Sequence, residues 1–164
     1  MCVDDHPIFR QGLAAVLGND PTVELVAEAA NGQLAITKFR EFSPDVTLMD
    51  LRLPDITGVE AIIAIREIEA DARIVVLTTE TGDALIQRAL VAGARGYVLK
   101  GMAFSELLKI IHAVHSGKTG IPGLVATQIA EHLGEKALTG REIEVLTLIA
   151  EGFRNKAVAQ TLSI

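Results

Sequence analysis

The chain has 164 residues, of which 49% are apolar and 22% charged, a composition typical of one ordinary globular domain with or without a small appendage. Its single cysteine, Cys2, excludes an internal disulfide framework and a cysteine-based metal site. The formal net charge of −6 falls on residues 1–116, and no basic patch offers nucleic acid an electrostatic footprint.

Short apolar strands alternate with helical patterns over residues 1–116. After a first strand of only three residues, Met1–Val3, the predicted strands are Glu24–Ala29, Asp45–Met49, Arg73–Thr78 and Gly96–Leu99. The predicted helices are Pro7–Leu17, Gln33–Phe42, Gly58–Glu69, Asp83–Ala92 and Phe104–His115. This order predicts an α/β fold, in which right-handed crossovers build a doubly wound parallel sheet with helices on both faces. The first strand, shorter than the usual length of about five residues, is expected to be abbreviated or cropped.

Apolar spacing indicates which helix faces are buried. The second helix places Ala35, Phe39 and Phe42 on one face, and the third carries Ile62 and Ile63. The last helix has the longest apolar stripe, with members three or four positions apart: Phe104, Leu107, Leu108, Ile111 and Val114.

The chain beyond residue 116 changes in character. Residues 117–136 contain structure-breaking glycines and a proline, and we expect a linker with one short helix. From Ala137 the pattern is purely helical, and Thr139 and Glu142 have the spacing of a capping box. Residues 137–164 are therefore expected to form a small all-α segment.

Polar residues stand where the predicted strands end. Asp4 and Asp5 follow the first strand, Asp50 follows the third, Thr78 ends the fourth and Lys100 follows the fifth. The carboxyl ends of parallel strands meet at one edge of a sheet, so these side chains should converge. Several carboxylates suit Mg²⁺, and an ammonium group beside them would neutralise an incoming phosphoryl group. One carboxylate is then left to act as a nucleophile that forms an acyl phosphate.

Four motifs in this order resemble the receiver of a NarL/FixJ-type two-component response regulator. They are Val3–Pro7, Leu48–Pro54, Val76–Thr79 and Gly96–Lys100. The resemblance implies a flavodoxin-like sheet of order 2-1-3-4-5, a receiver over residues 1–116, and a sensor histidine kinase as partner. It also implies a receiver that catalyses its own phosphorylation and dephosphorylation without being an enzyme in the usual sense.

The resemblance also implies roles for individual residues. Asp50 would be the phosphoacceptor. Mg²⁺ would be held by Asp50, directly by Asp5, through water by Asp4, and by the backbone carbonyl of Arg52. Thr78 and Lys100 would hold the phosphoryl oxygens, and Tyr97 would swing inward as Thr78 moves, so that a local charge event biases a two-state element.

The tail, residues 137–164, resembles the front of a LuxR-type helix-turn-helix, and Gly140 stands where that family often has proline. A full domain of this family continues with a recognition helix that enters the major groove, and we expect residues 137–164 to stop before it, so no DNA-binding residue is assigned. Promoter DNA is expected as a partner only of a full-length form, in which phosphorylation controls transcription, with a homodimer forming on activation. No apolar run approaches the ~20 residues of a membrane span, and a cytoplasmic protein is expected.

Two other functions compete with transcriptional regulation. A truncated receiver that dimerises or drains phosphoryl groups from a kinase would need no DNA. A flavodoxin-like or phosphatase-type enzyme could use the same sheet, but no glycine-rich phosphate loop follows the first strand.

Several polar residues have simpler explanations than chemistry. Asp55 is more typical of a turn or helix cap than of a ligand, and His6 of a local structural role. His112 and His115 have a spacing that metal sites use, but a solvated helix face explains them better. Arg141, Arg154 and Lys156 would serve equally as phosphate contacts in a complete domain or as solvated surface.

Overall fold

A computed structural model describes residues 1–79 and 84–121 of the chain. The chain divides into two units, Met1–Gln128 and Ile129–Ile164, and all described residues belong to the first. Its elements are β1 (Cys2–Val3), α1 (Pro7–Leu17), β2 (Glu28–Ala29), α2 (Gly32–Phe42), β3 (Thr47–Asp50), α3 (Gly58–Ile68), β4 (Ile74–Thr78), α4 (Ala84–Val91), β5 (Gly96–Leu99) and α5 (Phe104–His115).

The five strands form one parallel sheet of order β2-β1-β3-β4-β5, which confirms the predicted doubly wound α/β fold. The register pairs Val3 with Met49, Asp50 with Leu77, and Thr78 with Leu99. The strands therefore end side by side, and the residues that follow them share one edge of the sheet.

Strand β2 is much shorter than the predicted run of residues 24–29. The cause lies in its neighbour, because β1 has two residues and pairs only Cys2 with Glu28 and Val3 with Ala29. The N–H groups of Cys2 and Asp4 donate to the carbonyls of Ala27 and Ala29 at 3.0 Å each. A strand is defined by its ladder, so residues 24–27 lie outside β2 although Leu25, Val26 and Ala27 are apolar.

Local capping sets the helix ends. Asn31 Oδ1 accepts from the N–H of Leu34, so α2 begins at Gly32, one residue before the predicted start. Thr57 and Glu60 form a reciprocal capping box at the start of α3. Helices α1 and α5 have the predicted bounds.

The core lies on both faces of β4, an interior strand of the sheet, whose residues Ile74–Leu77 are completely buried. Helix α5 covers one face with Leu107, Ile111 and Val114. The buried faces predicted for α2 and α3 were each wrong at one position, because Phe42 and Ile63 are 44% and 47% exposed. Both stand at the margin of their apolar stripe, where the helix surface turns toward solvent.

The first residues after α5 return to the sheet. Gly120 forms an isolated parallel bridge with Gly96, next to the outer strand β5. The rest of the predicted linker and the whole predicted helix-turn-helix segment lie outside the described residues. Among the helices of the described residues, none combines the length and the hydropathy that crossing a membrane requires.

Candidate functional site

The carboxyl edge of the sheet brings two aspartates and a lysine into direct contact. Lys100 Nζ lies 2.7 Å from Asp4 Oδ2 and 2.7 Å from Asp50 Oδ2. Asp4 follows β1, Asp50 is the last residue of β3, and Lys100 follows β5. Asp50 is therefore the last residue of β3, whereas the sequence predicted that it directly follows the strand.

These charged groups are withdrawn from water. Asp4 is completely buried and Asp50 is 4% exposed, although aspartate is seldom buried without a partner. Burial lowers the pKa of Lys100, but close contact with Asp4 and Asp50 outweighs that effect and raises it above its ordinary value. Lys100 is therefore a permanent cation at neutral pH, poised between two anions.

A group of acidic ligands surrounds this contact. Asp4, Asp5, Asp50 and His6 each offer one atom, and these atoms lie within 4.8 Å of one another. Opposite ligands of a Mg²⁺ ion, with bonds of about 2.1 Å, stand about 4.2 Å apart, so the group has nearly the right size. Within the described part of the chain, the buried Asp4 Oδ2 and Asp5 Oδ1 each have one close partner, Lys100 Nζ at 2.7 Å and His6 Nδ1 at 2.6 Å. Carboxylate oxygens grouped this closely are the ligands that Mg²⁺ prefers, and the cluster could hold a metal ion.

His6 contacts both members of the acidic pair. Its Nδ1 lies 2.6 Å from Asp5 Oδ1 and 3.2 Å from Asp4 Oδ1, and its backbone N–H donates to Asp4 Oδ1 at 2.9 Å. The ring itself is largely exposed. The backbone contact fits the predicted local structural role, while the ring contact with Asp5 had no signal in the sequence beyond adjacency.

The loop after β3 shapes the surroundings of Asp50. Asp50 Oδ1 accepts from the N–H of Arg52 at 3.1 Å, and the Leu51 carbonyl accepts from the N–H of Gly58 at 3.0 Å. A Cβ atom on Gly58 would stand 2.1 Å from the carbonyl oxygen of Asp50. Only glycine allows the start of α3 to approach the site this closely.

Asp55 lies on the same loop and binds a different helix. Its Oδ1 and Oδ2 accept from the N–H groups of Gly32 and Gln33, at 2.8 and 2.9 Å. Burial raises the pKa of Asp55, but hydrogen bonds from backbone N–H groups outweigh that effect and lower it below its ordinary value. Asp55 is a cap, as expected, but of α2 rather than of a neighbouring turn.

Two residues of α1 that sequence reasoning missed support the site. The Phe9 ring lies beneath Lys100, with its centroid 5.1 Å from Nζ, and Arg10 donates to the carbonyl of Asp4 at 2.5 Å. A cation over an aromatic face is attracted by the ring quadrupole. Both residues lie in the first turn of α1, directly after Asp4–His6 at the sheet edge. This closeness in the sequence was the signal that could have identified them.

The other two residues to which the sequence gave roles lie nearby, Thr78 at the end of β4 and Tyr97 in the edge strand β5. The carbonyl of Thr78 accepts from the N–H of Lys100 at 2.8 Å. Tyr97 is fully buried, and its N–H donates to the carbonyl of Gly120 at 3.0 Å.

His112 and His115 are exposed and lie near the end of α5, where His112 Nε2 is 3.1 Å from the hydroxyl of Thr22. Arg141, Arg154 and Lys156 lie outside the described residues.

Comparison with known families agrees with this architecture. Residues 1–112 match the family described as the response regulator receiver domain, and residues 136–164 match bacterial regulatory proteins of the luxR family. The transcriptional regulatory protein LnrK of Bacillus subtilis is 38% identical over 98% of this chain and 80% of its own length. The nitrate/nitrite response regulator protein NarL of Escherichia coli is 33% identical over all of this chain and 80% of its own length.

Solved structures give the same result. A LuxR-family two-component response regulator from Aurantimonas sp. superimposes with a TM-score of 0.75 at 40% identity, covering 80% of this chain and 94% of that one. The RcsB response regulator of Salmonella typhimurium superimposes with a TM-score of 0.74 at 30% identity, covering 99% of this chain and 81% of that one. The chain belongs to the two-component response regulators that join a receiver domain to a LuxR-type DNA-binding domain, a class of transcriptional regulators.

Proposed function

We propose that Asp50 accepts a phosphoryl group from a sensor histidine kinase and that its phosphorylation controls transcription through the LuxR-type region. The observation that carries the proposal is the contact of one ammonium group with two buried carboxylates, Lys100 with Asp4 and Asp50. In this arrangement the Lys100 ammonium group is already in place to stabilise the negative charge of a phosphoryl group that approaches Asp50.

Asp50 is the nucleophile in this proposal. One of its carboxylate oxygens forms a bond to phosphorus while the bond from phosphorus to the donor's histidine nitrogen breaks, and that nitrogen leaves with the bonding pair. The N–H of Arg52 holds one oxygen of Asp50 in place, at 3.1 Å. The Lys100 ammonium group, which contacts the Asp50 carboxylate before phosphorylation, then donates its hydrogen bonds to the phosphoryl oxygens. Thr78, at the end of β4, donates to the same oxygens.

Mg²⁺ is the metal that we propose for the acidic cluster, held by Asp5, Asp50 and the Arg52 carbonyl, with Asp4 acting through water. When bound, it neutralises charge on the transferring group. The close grouping of Asp4, Asp5 and Asp50, whose ligand atoms lie within 4.8 Å of one another, supports this assignment. Asp50 is itself the group that is modified, so the protein is a phosphoacceptor that assists its own reaction rather than an enzyme that acts on a separate substrate.

Phosphorylation would act on β4 and β5, the two strands that carry Thr78 and Tyr97. Tyr97 is buried in β5 and would change its packing when Thr78 closes on the phosphoryl group, which would favour a homodimer. A form that carries the full LuxR-type domain would then bind promoter DNA in the cytoplasm.

Intact mass with peptide mapping tests the proposal after incubation with Mg²⁺ and acetyl phosphate. We expect a phosphate-sized gain on the peptide that contains Asp50, absent without Mg²⁺ and absent in Asp50→Asn. Asp71→Asn is the matched control, because Asp71 is 93% exposed and pairs only at the surface, with Arg95. A gain that persists in Asp50→Asn would overturn the assignment.

A further inference from the structure

A carboxylate on the loop between β3 and α3 caps a helix that is remote in the sequence. Asp55 accepts from the first two N–H groups of α2, those of Gly32 and Gln33, at 2.8 and 2.9 Å. Its two oxygens thereby bind two of the donors that a helix start leaves without intrahelical partners. The contact ties the loop to α2 across 23 and 22 positions of the chain.

The helix and the loop approach each other closely at this point. A Cβ atom on Gly32 would lie 2.4 Å from Ile56 Cγ1, so no side chain fits between α2 and the loop. The carboxylate is also favourably placed electrostatically, because the positive end of the helix dipole lies at α2's first residues. The loop is thus fixed at Asp55 by charge, by two hydrogen bonds and by close packing next to it.

The same loop carries the group proposed as a backbone metal ligand. It leaves the site at Asp50, whose Oδ1 holds the N–H of Arg52, and returns at Gly58, whose N–H donates to Leu51. Between these two anchors, Asp55 ties the loop to the start of α2. The backbone at Arg52 lies between the anchor at Asp50 and the tie at Asp55.

We propose that Asp55 is a positioning residue for the metal site, holding the loop so that the Arg52 carbonyl stays where a cation needs it. The inference rests on the proposed function, since that function places a metal beside Asp50. Groups that orient metal ligands without touching the metal commonly change metal affinity by about tenfold or more when they are removed.

Asn31 offers a matched control at the same helix end. Its Oδ1 accepts from the N–H of Leu34 at 2.8 Å, so it caps α2 from the helix's own chain. Removing either cap weakens the start of α2. Only removal of Asp55 also releases the loop, so the two variants separate stabilisation of the helix from positioning of the loop.

The experiment is a Mg²⁺ titration of the whole chain, followed through the amide chemical shifts of Asp50 and Arg52, with chemical denaturation of each variant in parallel. Asp55→Ala should raise the Mg²⁺ concentration at half-saturation by about tenfold. Asn31→Ala should lower the denaturation midpoint and leave the half-saturating concentration unchanged. Asp55→Asn keeps one acceptor oxygen and should recover part of the affinity, and it serves as the main variant if Asp55→Ala does not fold.

Two results would overturn the inference. One is wild-type Mg²⁺ affinity in both Asp55 variants; the other is an equal loss of affinity in Asn31→Ala, which would reduce Asp55 to a helix cap. Failure of the proposed function gives a different result, because the wild-type chain would then show no Mg²⁺-dependent shifts. In that case the role of Asp55 falls together with the metal site.

Discussion

The backbone of Tyr97, in the outer strand of the sheet, is hydrogen-bonded to the backbone of Gly120, which follows the last helix of the receiver. The N–H of Tyr97 donates to the carbonyl of Gly120 at 3.0 Å, and the N–H of Gly120 donates to the carbonyl of Arg95 at 2.8 Å. The chain therefore continues along the edge of β5 and protects an edge that would otherwise expose its donors and acceptors. The point at which residues 117–121 attach is the strand that carries Tyr97.

Gly120→Ala should weaken this attachment. An added Cβ would lie 2.8 Å from Ile110 Cγ2 and 3.2 Å from Val114 Cγ2, so α5 or the bridging segment must shift. We expect the free energy of unfolding to fall by about 1 kcal/mol, as for mild overpacking of a core. Gly12→Ala is the control, because Gly12 lies in α1 with nothing within 4 Å of the added atom, and it should stabilise by about 0.5 kcal/mol. Equal effects in urea denaturation would contradict the argument.

Gly58→Ala should have a larger effect, and one that reaches the site. The added Cβ would stand 2.1 Å from the Asp50 carbonyl oxygen and 2.7 Å from Leu51 Cα, both backbone atoms that cannot rotate away. We expect a loss of about 3 kcal/mol in the free energy of unfolding, at the upper end of overpacking costs. Labelling of Asp50 by acetyl phosphate should slow as well. A variant with wild-type stability and labelling would mean that α3 can move away without strain.

Cys2 provides a pH-dependent prediction. It is completely buried in β1, and burial, followed by the negative charge of Asp4, raises the pKa of its thiol to about 12. The thiol of the unfolded chain ionises near its ordinary pKa of 9.0, so between pH 9 and 12 the native state holds a proton that the unfolded state has lost. The contribution of the buried thiol to the free energy of unfolding is fully present below pH 9 and is lost as pH rises toward 12. Between pH 9 and 11 the loss is about 2 kcal/mol.

The measurement is the difference in unfolding free energy between the wild type and Cys2→Ala at each pH, without Mg²⁺. This difference cancels other groups that titrate in both proteins. It should shrink by about 2 kcal/mol from pH 9 to 11. The thiol should also resist iodoacetamide at pH 8 until the chain is unfolded, since the thiolate is the reactive form. A difference that does not change with pH would show that Cys2 ionises as readily in the native state.

The site was more predictable from sequence than the details of the fold. Asp4, Asp50 and Lys100 could be placed together because parallel strands end at one edge, a rule that needs only the strand order. The length of β2 could not be predicted, because it depends on how many residues its partner β1 supplies. The hydrogen bond from Gly32 to Asp55 could not be predicted either, because it joins two segments that are remote in the sequence and share no local pattern. Sequence periodicity reports burial and local caps, whereas such contacts arise only from the packed structure.

Lys100→Met should show how far the site depends on its single ammonium group. Without it, the buried carboxylates of Asp4 and Asp50 keep their charges with no cation between them, and at pH 7 without Mg²⁺ we expect a loss of about 3 kcal/mol. Mg²⁺ should narrow the gap to the wild type at pH 7, because a bound cation would again stand beside the two carboxylates. Lys109→Met, an exposed position on α5, is the control and should change stability little with or without Mg²⁺. If Lys100→Met is as stable as the control at pH 7 without Mg²⁺, the two carboxylates do not need the lysine, and the electrostatic account of the site is wrong.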